Sequence, residues 1–211
     1  MRIIALLIAL LLAACGLEPV YLEAQPRGAD DSLRWVSPQG SPPQGYVPVV
    51  FTPPDGSEGL GVCRSFIVEP RGNEQGYSIG QIPPGPTPLC MVSYEQVSAQ
   101  LSPESGLYQQ LWAHPATPYG WVAPGDLPDE GLLVATRLYQ HTRLPIEPVR
   151  RISDGVPIGA WLPCATSYGG RWYMGKAHSN GRPGRDCYVG RDGAEIRVSD
   201  RSLIFYAPVD E

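Results

Sequence analysis

Residues 154–195 read DGVPIGAWLPCATSYGGRWYMGKAHSNGRPGRDCYVGRDGAE, and an earlier stretch repeats their skeleton. Asp55-Gly56, Cys63, Gly80-Gln81 and Cys90 follow in the same order as Asp154-Gly155, Cys164, Gly175-Lys176 and Cys187, at intervals of 8, 17 and 10 residues against 10, 11 and 12. Upstream, Trp35-Val36 precedes Pro38 and Gly45 as Trp121-Val122 precedes Pro124 and Gly131, at shared offsets of 3 and 10. Self-similarity of this kind marks tandem units that stack to bury a common core. It divides the chain into a first repeat over residues 33–112, a linker over 113–120 and a second repeat over 121–207. The second repeat carries an extra hairpin's worth of chain, ATRLYQHTRLPIEPVRRI, over residues 135–152. A rival register aligns Cys90-Met-Val-Ser-Tyr with Cys164-Ala-Thr-Ser-Tyr and fits three shorter, overlapping repeats.

Working outward, proline is too frequent for helices of useful length, and the longest helix-compatible piece, residues 95–111, is broken by Pro103 and Gly106. Short strand-like runs dominate instead, at 46–51, 60–68, 89–94, 107–112, 131–139, 158–162, 171–174, 187–189, 195–198 and 203–206. Pro-Asp-Gly, Ser-Asp-Gly, Ser-Asn-Gly and Arg-Asp-Gly separate them and supply the positive-φ positions that tight hairpins need. No β-then-α alternation recurs, so the pattern predicts an all-β, antiparallel, sandwich-like domain built from two pseudo-symmetric repeats.

The first fifteen residues read as an address. Arg2 is a positive n-region, 3–12 an apolar h-region, and Leu12-Ala13-Ala14-Cys15 a lipobox, so residues 1–14 form a lipoprotein signal peptide and Cys15 is the lipidated residue. The bland alternative is an ordinary secretory signal with a chance cysteine. Residues 15–32 are polar and aperiodic, a flexible tether reaching on the order of 20 to 25 Å from the membrane. Gly16 after the cysteine, rather than aspartate, points to an outer-membrane lipoprotein facing the periplasm or the cell surface. Losing Arg2 with the leader leaves 15 basic and 21 acidic side chains, a balance that argues against nucleic acid as a partner.

Four cysteines remain, an even number in an oxidising compartment, and they allow three connectivities. The equivalent positions in the two repeats favour Cys63 with Cys90 and Cys164 with Cys187. Zinc needs closely spaced cysteine pairs with histidine partners, and neither occurs. Gly76-Tyr77-Ser78-Ile79-Gly80 matches the G-x-S-x-G nucleophile elbow, but Pro83, Pro84 and Pro86 follow where a helix would have to start. His114, His141 and His178 lack ligand spacing. No catalytic set, metal or cofactor is called for.

Lys176 is the only lysine in the chain. Trp161, Trp172 and Tyr173 stand near it in sequence, and Asp154 lies 22 residues earlier at a turn. Such parts can build a sugar site, with a carboxylate accepting from two hydroxyls, an ammonium donating and an aromatic face packing on the ring. They equally suit a turn aspartate and strand aromatics that pack a core.

The run from Asp154-Gly155 through Tyr168-Gly169-Gly170, Gly175-Lys176, Cys187 and Gly193-Ala194-Glu195-Ile196 to Leu203-Ile204-Phe205-Tyr206 resembles the DM-nine repeat family over nearly all of 33–207. The resemblance implies a β domain of two interlocked repeats and non-catalytic, mannose-type glycan binding through an aspartate and a lysine, often as a homodimer. Asp154 and Lys176 match that pair, with Trp172 or Tyr173 as stacking face, and in the first repeat the matching positions are Asp55 and Gln81. Met174 departs from the family's usual proline before Gly-Lys. The expected function is therefore a lipid-anchored envelope protein that binds a glycan. The alternative is a structural or protein-binding lipoprotein on the same scaffold with no sugar site.

Overall fold

A computed structural model describes residues 32–68, 75–137, 149–199 and 201–208. The expectations for the leader, for Cys15 and for nearly all of the tether fall outside the described residues, as do His141 and residues 138–148 of the extra segment. Strands dominate: β1 (Leu33–Val36), β2 (Val47–Pro48), β3 (Val50–Phe51), β4 (Leu60–Val68), β5 (Gln75–Ile82), β6 (Cys90–Tyr94), β7 (Val97–Leu101) and β8 (Tyr108–Ala113) in the first half. The second half holds β9 (Gly120–Val122), β10 (Leu132–Val134), β11 (Thr136–Arg137), β12 (Val149–Arg151), β13 (Ile158–Tyr168), β14 (Arg171–Asn180), β15 (Cys187–Arg191), β16 (Ala194–Val198) and β17 (Leu203–Tyr206). The only helical pieces among the described residues are three 3-10 turns of three residues each. The domain is all-β and antiparallel throughout its named pairings.

The main sheet runs β1-β8-β4-β5-β6-β7-β16-β15-β14-β13-β17-β9. Reading it from either end gives the same sequence of roles, because β1, β8, β4, β5, β6 and β7 correspond to β9, β17, β13, β14, β15 and β16. The registers agree residue by residue. Cys63 faces Gly80 and Gly80 faces Val92, as Cys164 faces Gly175 and Gly175 faces Val189. Trp35 faces Leu111 as Trp121 faces Phe205. The halves join where Ala194 pairs with Val97 and Ser98 N–H donates to Gly193 O at 3.1 Å.

Side chains alternate across each strand, so one face of each half turns inward and the other outward. The inward faces meet in one shared core, with Leu33, Trp35, Phe51, Val62, Ile79 and Leu111 from the first half and Leu132, Val134, Ala165, Met174 and Phe205 from the second. Each outward face has its own smaller cluster built around a disulfide, Cys63–Cys90 in one half and Cys164–Cys187 in the other. The pairing favoured by equivalent positions is the one found.

Several strands exceed or escape the sequence reading. β5 runs through Gly76 and Gly80, and β14 continues past the expected strand at 171–174 through Gly175-Lys176 to Asn180. Glycine reads as a breaker in sequence, but here it serves close approach: a methyl on Gly80 or Gly175 would overlap the carbonyl oxygen of Met91 or Tyr188 on the neighbouring strand. β1, β7 and β9 are likewise strands that the apolar runs did not announce, and β9 begins at Gly120, the last residue of the expected linker.

Candidate functional site

Lys176 sits in the middle of β14, facing Pro163 of β13 and Tyr188 of β15. Alternation puts Trp172, Met174 and Lys176 on the face that meets the first half, and Tyr173 and Ala177 on the outward face. The lysine is 1% exposed. Its ammonium donates to Ser78 Oγ at 3.1 Å, to the Ser93 carbonyl oxygen and to Glu195 Oε2 at 2.6 Å. The rings of Trp161 and Tyr94 lie 5.0 and 5.2 Å from Nζ. Burial pulls the lysine below its ordinary pKa, and the carboxylates of Glu195 and Glu95 oppose that shift.

An ammonium has three N–H groups, and all three are placed on acceptors within the chain. Two of those acceptors, Ser78 and Ser93, belong to the first half. The pseudo-equivalent Gln81 makes the reciprocal crossing. It is 6% exposed, and its Oε1 accepts the Met174 backbone N–H of the second half at 2.8 Å. Lys176 and Gln81 are thus two polar pins that run in opposite directions between the halves.

The other expected sugar-site residues lie at exposed turns, in the shared core and on the outward face. Asp154 is exposed at the end of a 3-10 turn ahead of β13, and Lys176 makes its three hydrogen bonds to other groups. Trp172 packs in the shared core against Phe51 at 5.2 Å, while Tyr173 is buried on the opposite face of the strand. Asp55 is exposed and accepts the Ser57 hydroxyl at 2.7 Å and the Ser57 N–H at 2.9 Å, hydrogen bonds that lower its pKa. The two-residue period of the strand thus sends Trp172 and Tyr173 to opposite faces, and the lysine is engaged between the halves.

Ser78, the serine of the G-x-S-x-G match, is not set up as a nucleophile. Gly76 and Gly80 flank it within the continuous strand β5, with no elbow, and its hydroxyl donates to the Ser93 carbonyl oxygen at 2.7 Å. The neighbouring Lys176 donates toward Ser78 Oγ, the wrong direction for a base. His178 packs edge-on to Trp161 at 5.5 Å, and His114 to Tyr46 at 5.5 Å. No group of three or more histidine, cysteine or acidic residues among the described residues is arranged to hold a metal.

Sequence reasoning did not anticipate Glu195, Ser78, Ser93 and Tyr94 as the surroundings of Lys176. It also passed over Arg64, whose signal was available: Arg64 is the one charge inside the apolar run LGVCRSFIV, on the same strand face as Val62. Its guanidinium is buried, and burial pushes its pKa down to about 10.

No family model matches the chain, and a search of curated proteins gave no match. Among solved structures, the chain is similar to the crystal structure of the nematode sperm cell motility protein MFP2B, at 13% identity and a TM-score of 0.46. The match covers 93% of this chain and 50% of that one, so the chain spans half the length of that protein.

Proposed function

We propose that the protein is a lipid-anchored, non-catalytic component of the bacterial cell envelope, an outer-membrane lipoprotein whose fused β domain docks another envelope component. The observation that supports docking over a sugar clamp is the closure of Lys176, whose three N–H groups are all engaged within the chain at 1% exposure. A residue so used cannot donate to a hydroxyl without giving up an internal bond. The test joins two measurements on the whole chain. Palmitate labelling is expected in the wild type and absent in Cys15→Ser. Crosslinking in intact cells is expected to trap a defined protein neighbour, and the yield is expected to be unchanged by added mannose. Loss of the crosslink on adding mannose would sink the docking reading.

A glycan-binding reading is favoured by one feature, the half-buried aromatic group of Trp161, His178 and Tyr188. Trp161 packs edge-on against both partners at 5.5 and 5.8 Å, and the Asp186–Arg197 ion pair lies in the same part of the sheet. An aromatic surface beside a paired carboxylate and guanidinium can pack on a pyranose and bond its hydroxyls. A glycan array probed with the wild type and with Trp161→Ala decides it. Mannose-type binding that vanishes in the variant would replace docking as the conclusion.

A further inference from the structure

Met91 terminates the polar pin that Gln81 runs between the halves. It lies in β6 opposite Gln81 of β5 and Gln100 of β7, directly after the disulfide-bonded Cys90. The Met174 backbone N–H can only donate, and it donates to Gln81 Oε1 at 2.8 Å, which fixes the oxygen end of that amide toward the second half. The other end, Nε2, donates to Met91 Sδ at 3.9 Å. A thioether is a weak acceptor, so the NH2 group of a side chain only 6% exposed is held by a poor partner.

The two described methionines meet solvent differently. Met91 is half-buried, whereas Met174 is 1% exposed within the shared core. The backbone of Met91 is fixed, because its carbonyl packs so closely on Gly80 that a methyl there would overlap it. The second half shows that the fold needs no sulfur at this place, since Tyr188 takes the corresponding position opposite Lys176. Among apolar side chains, methionine is the one that peroxides convert reversibly to a polar form. Disulfides persist in oxidising surroundings, and the same surroundings bring peroxides to an accessible thioether.

We propose that Met91 is a modification site, at which hydrogen peroxide oxidises the thioether to the sulfoxide and Gln81 senses the change. The sulfur lone pair attacks one peroxide oxygen, an S–O bond forms and the O–O bond breaks. The leaving oxygen takes the proton of the transferred one and departs as water, so sulfur gives up two electrons and the peroxide is reduced. The sulfoxide oxygen accepts hydrogen bonds where the thioether barely did, and the Gln81 NH2 turns to it. Because Gln81 Oε1 holds the Met174 N–H, the mark is felt at the seam between the halves. The site does not rest on the docking or the glycan reading.

The test treats the folded, whole chain in detergent with hydrogen peroxide and follows each methionine by peptide mass spectrometry. Met91 is expected to gain one oxygen at a rate within roughly tenfold of free methionine, and Met174 to react at least roughly tenfold more slowly than Met91. In the same samples the Gln81 side-chain amide resonances are expected to move in step with the mass of Met91, and to return as methionine sulfoxide reductases remove the oxygen. In Met91→Leu those resonances are expected to ignore peroxide; should that variant fail to fold, the wild-type time courses decide alone. Oxidation of Met91 no faster than that of Met174, Gln81 resonances that stay in place once Met91 is oxidised, or an equal peroxide shift in Met91→Leu overturns the proposal.

Discussion

At the residue scale, the chain's one lysine works as an internal fastener. Its ammonium ties β14 to Ser78 and Ser93 of the other half and pairs with Glu195, whose side chain is only 12% exposed. Removing one member of such a pair leaves the other without its counter-charge, so Lys176→Met is expected to lower stability by about 3 kcal/mol in urea unfolding. Adding Glu195→Leu is expected to restore a large part of that loss, because the pair then goes as a unit. An unchanged midpoint in the single variant would show that the pin carries no weight. Asp55 offers a pH-dependent counterpart. The Ser57 hydroxyl and N–H hold its carboxylate below the ordinary value of 3.8. A group with a depressed folded pKa contributes stability above its unfolded value and loses it as pH falls through the folded one. The contribution of Asp55 is therefore present above pH 3.8 and lost below it. Carboxyl NMR titration is expected to place its midpoint under 3.8, and Ser57→Ala is expected to move that midpoint up.

At the element scale, the corresponding strands β5 and β14 each depend on a glycine that admits a neighbouring backbone. Gly80 and Gly175 lie at matching registers, facing Cys63 and Cys164 on one side and Val92 and Val189 on the other. A β-carbon at either meets a carbonyl oxygen rather than a flexible side chain, so relief requires moving a strand of the main sheet. Gly80→Ala and Gly175→Ala are each expected to cost about 3 kcal/mol or more, at the upper end of overpacking effects. Gly125→Ala is the control, because nothing lies within 4 Å of the added carbon, and it is expected to stay within about 0.5 kcal/mol of the wild type. Equal melting temperatures for all three variants would refute the close-approach account. The same paired strands carry the disulfides, which close separations of 27 and 23 residues. On the loop-entropy model each is worth about 3 to 4 kcal/mol, a large share of the stability of any one half.

At the scale of the whole molecule, neither half has a complete interior. Among the described residues, nine of the fifteen in the shared core come from the first half and six from the second, so a separated half would expose the apolar face it now covers. Cutting the chain in the connection between β8 and β9 gives two fragments that are each expected to lack near-ultraviolet circular dichroism and a cooperative melt. Mixed under oxidising conditions, they are expected to recover both. A first fragment that melts cooperatively by itself would contradict the shared core and make the two halves independent domains. The palindromic strand order places the junction between β7 and β16 at the centre of the sheet. Its edges, β1 and β9, are the short strands carrying Trp35 and Trp121.

The sequence by itself determined the all-β class and most of the strand and turn rhythm, and it favoured, among three connectivities, the cysteine pairing that the structure holds. Those properties are written in local signals: two-residue alternation, Asp-Gly and Asn-Gly turns, and matched spacings in two stretches of chain. Only the tertiary structure decided what the polar residues do. Nothing beside Gly175-Lys176 in the sequence announces its partners, yet Lys176 meets Ser78 and Ser93 across 98 and 83 residues of chain. Trp172 and Tyr173 are adjacent in sequence, but the strand sends one into the shared core and the other to the outward cluster. Whether a charge is buried depends on which distant strand covers it. That is settled by how two similar halves close on one another, and no spacing within either half records it.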